Sequence, residues 1–132
     1  MLTSDRILRA SRSYRDAQVL WSAIELGVFT ELGKGPRNAR QLCRALGLNE
    51  RLAQRWLDAL VALGFLDRDG AGETAIYLNT REASRFLDRN SAAYIGAPME
   101  GAGRQVFTAW DELMNALRTG ENAAGWTEFE RI

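Results

Sequence analysis

Residues 38–78 read NARQLCRALGLNERLAQRWLDALVALGFLDRDGAGETAIYL, and the punctuation of this stretch decides the fold. Asn38 followed three residues later by Gln41 is a capping-box pattern, so a short helix is predicted over 39–46. Gly47 ends it. Asn49 then caps a second helix over about 50–63, with apolar positions at Leu52, Trp56, Ala59, Leu60 and Leu63, and Gly64 stops that one. Two helices joined by Gly-Leu-Asn have the form of a helix-turn-helix. The periodicity then drops to that of strands at 65–68 and 74–78, around a glycine-bearing loop over 69–73. A helix-turn-helix followed by a hairpin is a winged helix.

Upstream, Ile7, Ala10, Tyr14, Ala17, Trp21, Ile24 and Val28 alternate in steps of three and four, which places one apolar stripe along a long helix. From Ala17 a second stripe joins it through Val19, Leu20, Ala23 and Leu26. A helix apolar around most of its circumference must be covered around most of it, so part of this surface is a candidate dimer interface. Downstream, Thr80 caps a helix to about Asp88, and residues 94–98 break the chain. A last long helix carries Val106, Trp110, Leu113, Met114 and Leu117 up to Gly120. Trp126, Phe129 and Ile132 are bulky apolar residues in a linker-like tail. They fold back on the core, belong to a connection cut short, or dock on another chain. The fold class expected is mainly α: a winged helix-turn-helix with a small β-hairpin and added N- and C-terminal dimerisation helices.

At 132 residues the chain fits one domain, and 46% apolar content supports a real core. It has no His, which removes every mechanism built on an imidazole base or metal ligand. Cys43 is the one cysteine, so it has no internal disulfide partner and no cysteine-cluster metal site. The run from Ala59 to Leu66 is the longest apolar stretch, far short of the roughly 20 residues of a membrane span. The charged N-terminus lacks the apolar run of a signal peptide. A soluble, cytoplasmic chain with no membrane association is expected.

Two motifs suggest other chemistry. Asp69-Gly70-Ala71-Gly72 imitates the start of a nucleotide loop, but such a loop joins a strand to a helix, and here a strand follows. It is a hairpin turn. The winged-helix segment is also basic, with Arg37, Arg40, Arg44, Arg51 and Arg55 against Glu50 alone over residues 36–57. A recognition helix would present Arg51, Gln54 and Arg55 to a major groove. The wing, however, carries Asp67, Asp69 and Glu73 against Arg68, and an acidic wing is a poor instrument for neutralising phosphate. A solvated arginine face is preferred over a nucleic-acid contact. With no activating base for Cys43 or the hydroxyls, the chain offers no catalytic residue and no metal site of its own.

The boxes Leu20-Trp21-Ser22-Ala23-Ile24-Glu25-Leu26-Gly27-Val28-Phe29, Leu57–Leu66, Tyr77-Leu78-Asn79-Thr80, Phe86-Leu87-Asp88, Tyr94-Ile95-Gly96, and Trp110 with Leu117-Arg118-Thr119-Gly120-Glu121 occur in this order. Together they resemble the N-terminal dimerisation domain of class I S-adenosylmethionine-dependent O-methyltransferases, the group that includes hydroxyneurosporene, acetylserotonin and polyketide-tailoring enzymes. The resemblance implies a dimerisation and substrate-lid domain over 1–120, with 121–132 beginning a linker toward a catalytic domain absent from the chain. By analogy Tyr14, Trp21 and Ile24 are dimer-seam candidates, and Met99, Gly103, Phe107 and Trp110 are substrate-pocket candidates. It implies a homodimer, alone or beside a separate catalytic methyltransferase chain, and a small-molecule acceptor of the secondary-metabolite type. This chain binds no cofactor itself on that reading; S-adenosylmethionine belongs to the complete enzyme. The alternatives carried are a dimeric winged-helix transcription regulator and a non-catalytic ligand-binding or scaffold protein.

Overall fold

Helix α1 (Asp5–Leu26) follows the apolar stripe for six turns, and it ends where the sequence first supplies a glycine. Gly27 takes a left-handed conformation (φ 83°) and donates its N–H to the carbonyls of Ala23 and Ile24. A side chain would strain that geometry, so the stripe is cut here rather than running through Val28 as its spacing suggests. The chain turns into α2 (Val28–Leu32), whose Val28, Phe29 and Leu32 drop into the core. The computed structural model describes residues 1–101 and 110–120.

The capping box at Asn38 forms as its residues predict. The Asn38 side chain accepts from the Gln41 N–H and the Gln41 side chain accepts from the Asn38 N–H, each at 2.9 Å. Helix α3 (Ala39–Leu46) starts there and closes at Gly47. Helix α4 (Glu50–Ala62) starts on Asn49, whose side chain accepts from the Arg51 N–H at 2.9 Å. Immediately before α3, Arg37 and Asn38 form a two-residue strand, β1, which the sequence did not signal. The hairpin strands are β2 (Leu66–Asp69) and β3 (Ile76–Asn79), one to two residues later than their composition suggests. A 3-10 turn over Gly72–Thr74 occupies part of the intervening loop.

The three strands form one antiparallel sheet in the order β1-β3-β2, with Arg37 opposite Tyr77 and Arg68 opposite Tyr77 on the other side. The order α2-β1-α3-α4-β2-β3 is a winged helix, and α1 is an addition in front of it. Its core joins Ala23 and Ile24 of α1 to Phe29, Leu42, Leu57, Leu60, Leu66 and Tyr77. Burying side chains of this size stabilises by about 1.5–3 kcal/mol each before entropy is counted.

Thr80 caps α5 (Arg81–Phe86) by accepting from the Ala83 N–H, and the helix ends at Leu87, earlier than expected. A strap over residues 94–101 follows. It is pinned to α5 by the Ile95 N–H on the Phe86 carbonyl and contains a 3-10 turn at Ala97–Met99. Gly96 is buried against the ring of Tyr94, leaving no room for a Cβ between them. Gly96→Ala should therefore lower stability by about 1–2 kcal/mol, read from the urea midpoint, because the Tyr94 ring must move.

Beyond the strap, Trp110 and Asp111 are helical and Glu112 is a turn. Helix α6 (Leu113–Thr119) then closes at Gly120. The expected single long helix is interrupted at Glu112. Gly103, Phe107, Trp126, Phe129 and Ile132 lie outside the described residues.

Candidate association surface and pocket residues

Residues 5–16 of α1 are exposed around the whole helix, and its last two turns meet the core, with Ala23 and Ile24 buried and Val19 and Leu20 packed against it. Along the predicted seam, exposure falls steadily. Ile7 is 73% exposed, Tyr14 is 57% exposed, Trp21 is half-buried and Ile24 is 2% exposed. Tyr14 thus has a side chain available to a partner. Ile24 does not, because it packs against the chain's own core, and it leaves the surface part of the seam. Trp21 stands at the transition. Next to it Trp56 of α4 donates its indole N–H to Ser22 at 2.9 Å, which ties the lower end of α1 to the winged helix. Ile7 and Leu8 are exposed on the same helix, and Met114 and Leu117 are exposed on α6. The seam pattern contained Ile7 from the start, but periodicity alone could not separate the exposed end from the buried one.

Of the four pocket candidates two are described. Met99 is half-buried and packs on the core, and Trp110 is exposed near α6. Met99 is adjacent to Glu100, which pairs with Arg89 at 2.6 Å. Sequence reasoning passed over Arg89, because nothing local marks an arginine in a polar turn.

The winged-helix face has a mixed character. Arg51 and Arg55 are exposed and Gln54 is half-buried, while Arg40 lies 3.7 Å from Glu50. On the wing, Asp67, Asp69 and Glu73 are exposed. Arg68 is bound to Asp58 at 2.9 Å, and the same carboxylate oxygen accepts from the Tyr77 hydroxyl at 2.6 Å. Burial, then the bond to Asp58 and its charge, push the Tyr77 phenol up to about 12. The one cation of the wing is thus engaged within the fold, and the acids face solvent. Cys43 is buried, and burial followed by the charge of Glu50 pushes its thiol up, away from the reactive thiolate. Among the described residues no group of His, Cys, Asp and Glu is arranged to hold a metal, and no helix is long and apolar enough to cross a membrane.

Residues 7–89 match the model of the O-methyltransferase dimerisation domain. Over 115 residues the chain is 40% identical to the tetracenomycin polyketide synthesis 8-O-methyl transferase of Streptomyces glaucescens, covering 87% of this chain and 33% of that protein. Over 108 residues it is 34% identical to acetylserotonin O-methyltransferase of Bos taurus, covering 80% of this chain and 31% of the relative. The crystal structure of human N-acetylserotonin methyltransferase in complex with SAM superposes with a TM-score of 0.84 at 28% identity, over 93% of this chain and 36% of that one. The chain spans about a third of the length of the curated relatives it matches. By its matched residues, its winged-helix fold and its relatives, the chain belongs to the O-methyltransferase dimerisation domain family.

Proposed function

We propose that this chain is the self-associating and acceptor-lid part of an S-adenosylmethionine-dependent O-methyltransferase, and that it works as a homodimer. The observation that carries this reading is α1: twelve consecutive exposed positions that include Ile7, Leu8 and Tyr14, on a helix anchored at its other end. Apolar residues repeated along one helix face lower their free energy when a second surface covers them, and in a homo-oligomer that surface is commonly the same patch on another copy. Residues 1–120 form the associating domain. Residues 121–132 lead toward a catalytic domain, on this chain or on a separate one. That domain binds the cofactor, and Met99, Gly103, Phe107 and Trp110 of this chain border the acceptor. The names of the relatives, a tetracenomycin polyketide enzyme and acetylserotonin methyltransferases, support a small-molecule acceptor of the secondary-metabolite kind. We place the enzyme in the cytoplasm.

A DNA-binding role is not favoured. Its wing would bring three carboxylates toward the phosphates with Arg68 already bound to Asp58. Sedimentation equilibrium and calorimetry on residues 1–132 test the proposal together. The expected results are twice the chain mass at micromolar concentration and no heat of binding with S-adenosylmethionine. A monomer at every concentration up to the millimolar range would refute the association, and clear cofactor binding would refute the division of labour.

A further inference from the structure

Arg89 lies in the turn after α5, yet its bonds reach two distant parts of the chain. One terminal nitrogen, Nη2, donates to the carbonyls of Ile24 at 2.9 Å and Glu25 at 3.2 Å, more than sixty positions earlier. Its Nε donates to Glu100 at 2.6 Å. Its backbone N–H donates to the Thr30 hydroxyl at 3.1 Å, which fixes the turn against α2. The other terminal nitrogen, Nη1, stands so close to Gly27 that a Cβ there would come within 3.1 Å of it.

Each contact has a physical reason. The last turn of α1 contains no basic residue, so the partial negative charge at its end is offset by no side chain of the helix, although the Gly27 N–H already bonds the carbonyls of Ala23 and Ile24. Arg89 supplies that charge from outside. A guanidinium presents donors in a rigid fork, so holding Ile24 and Glu25 with one arm fixes the direction of the others. Glu100 is fixed in turn, because its N–H bonds the carbonyls of Gly96 and Ala97 at the end of the 3-10 turn that carries Met99. Nearby, the Tyr94 hydroxyl is buried against the same pair, and both Arg89 and Glu100 act on it.

We infer that Arg89 is a positioning residue that couples the base of α1 to the strap over 94–101, so that the direction of α1 and the placement of Met99 are set together. The roles of α1 in association and of Met99 beside the acceptor rest on the function proposed above. The coupling itself rests on the contacts of Arg89.

Hydrogen–deuterium exchange on Glu100→Gln, Glu100→Asp and Arg89→Lys tests it, with each variant checked for a normal unfolding transition. Glu100→Gln keeps the shape of the side chain and leaves the bonds to Ile24 and Glu25 in place. The expected result is faster exchange by about two- to fivefold, the range of a half-exposed ion pair, in two separate places. These are the strap and the last turn of α1, with α3 and α4 unchanged. Glu100→Asp should recover part of the protection at both, and Arg89→Lys should loosen both. Faster exchange confined to the strap in Glu100→Gln would overturn the coupling, as would an equal rise across all elements. Sedimentation on the same samples keeps the two ideas apart: a monomeric wild type would remove the proposed function, while the exchange pattern would still judge the role of Arg89.

Discussion

A chain carrying Ile7→Glu and Tyr14→Glu is expected to sediment as a monomer at concentrations where the wild type is a dimer, with the dissociation constant raised about 100-fold or more. The two positions are seven residues apart, two turns of α1, and so share a face. Both side chains are largely exposed in the single chain. A tyrosine buried at the centre of an interface commonly costs 2 kcal/mol or more when removed, by about the usual alanine-scan scale. Placing carboxylates on the same face adds their desolvation. Together these exceed the roughly 3 kcal/mol that a 100-fold change requires. Neither residue belongs to the core, and glutamate is a good helix former, so the unfolding midpoint of the monomer should change by no more than about 0.5 kcal/mol. Leu52→Glu is the control. Leu52 is also a well-exposed leucine but belongs to α4 rather than α1, and its replacement should leave the mass unchanged. If the double variant dimerises with wild-type affinity, α1 is not the association surface.

What the sequence made legible follows the range of the interactions involved. The capping box at Asn38 and Gln41, the Asn49 cap and the glycine stops are decided within four residues, and they form where expected. The hairpin is also local, but its strands slide by one or two residues because a glycine-rich loop leaves the register to the partner strand. Strand β1 was invisible. Two residues have no periodicity, and Arg37 and Asn38 are strand only because Tyr77 and Ile76 lie beside them. The α1 stripe shows the limit most plainly. Tyr14 and Ile24 occupy the same seam, yet one is exposed and the other is core, because Gly27 folds α2 back onto the lower end alone. Spacing reports that a face is apolar; it does not report what covers it. For the site, the acid count of the wing was readable as a sum, whereas the bonds of Arg68 to Asp58 and of Arg89 to Ile24 depend on chain crossings that no local pattern encodes.

Asp58→Ala should cost about 2–3 kcal/mol of stability, the largest loss expected for a single polar side chain here. Its Oδ1 accepts from both the Tyr77 hydroxyl and Arg68, and Tyr77 has no exposed surface. Removing the acceptor leaves a buried donor unpaired, and that desolvation is the expensive part. Tyr77→Phe removes the donor instead and should cost only about 1 kcal/mol. The double variant should then lose clearly less than the sum of the two, since the unpaired hydroxyl is gone. The same hydroxyl gives the fold an alkaline limit. Burial first, then the bond and charge of Asp58, raise the Tyr77 phenol from 10.0 to about 12. A group whose pKa is raised by folding favours the native state in its protonated form. Its contribution is complete below pH 10 and is lost as pH rises through about 12. Two pH units correspond to about 2–3 kcal/mol. Urea midpoints measured from pH 9 to pH 12 should therefore fall steeply in the wild type and more shallowly in Tyr77→Phe. A residual slope is expected from Tyr94, whose phenol burial also pushes up. Parallel slopes in the two proteins would mean that the alkaline loss arises elsewhere than at Tyr77, while additive losses in Asp58→Ala and Tyr77→Phe would mean that their bond does not fasten the wing to α4.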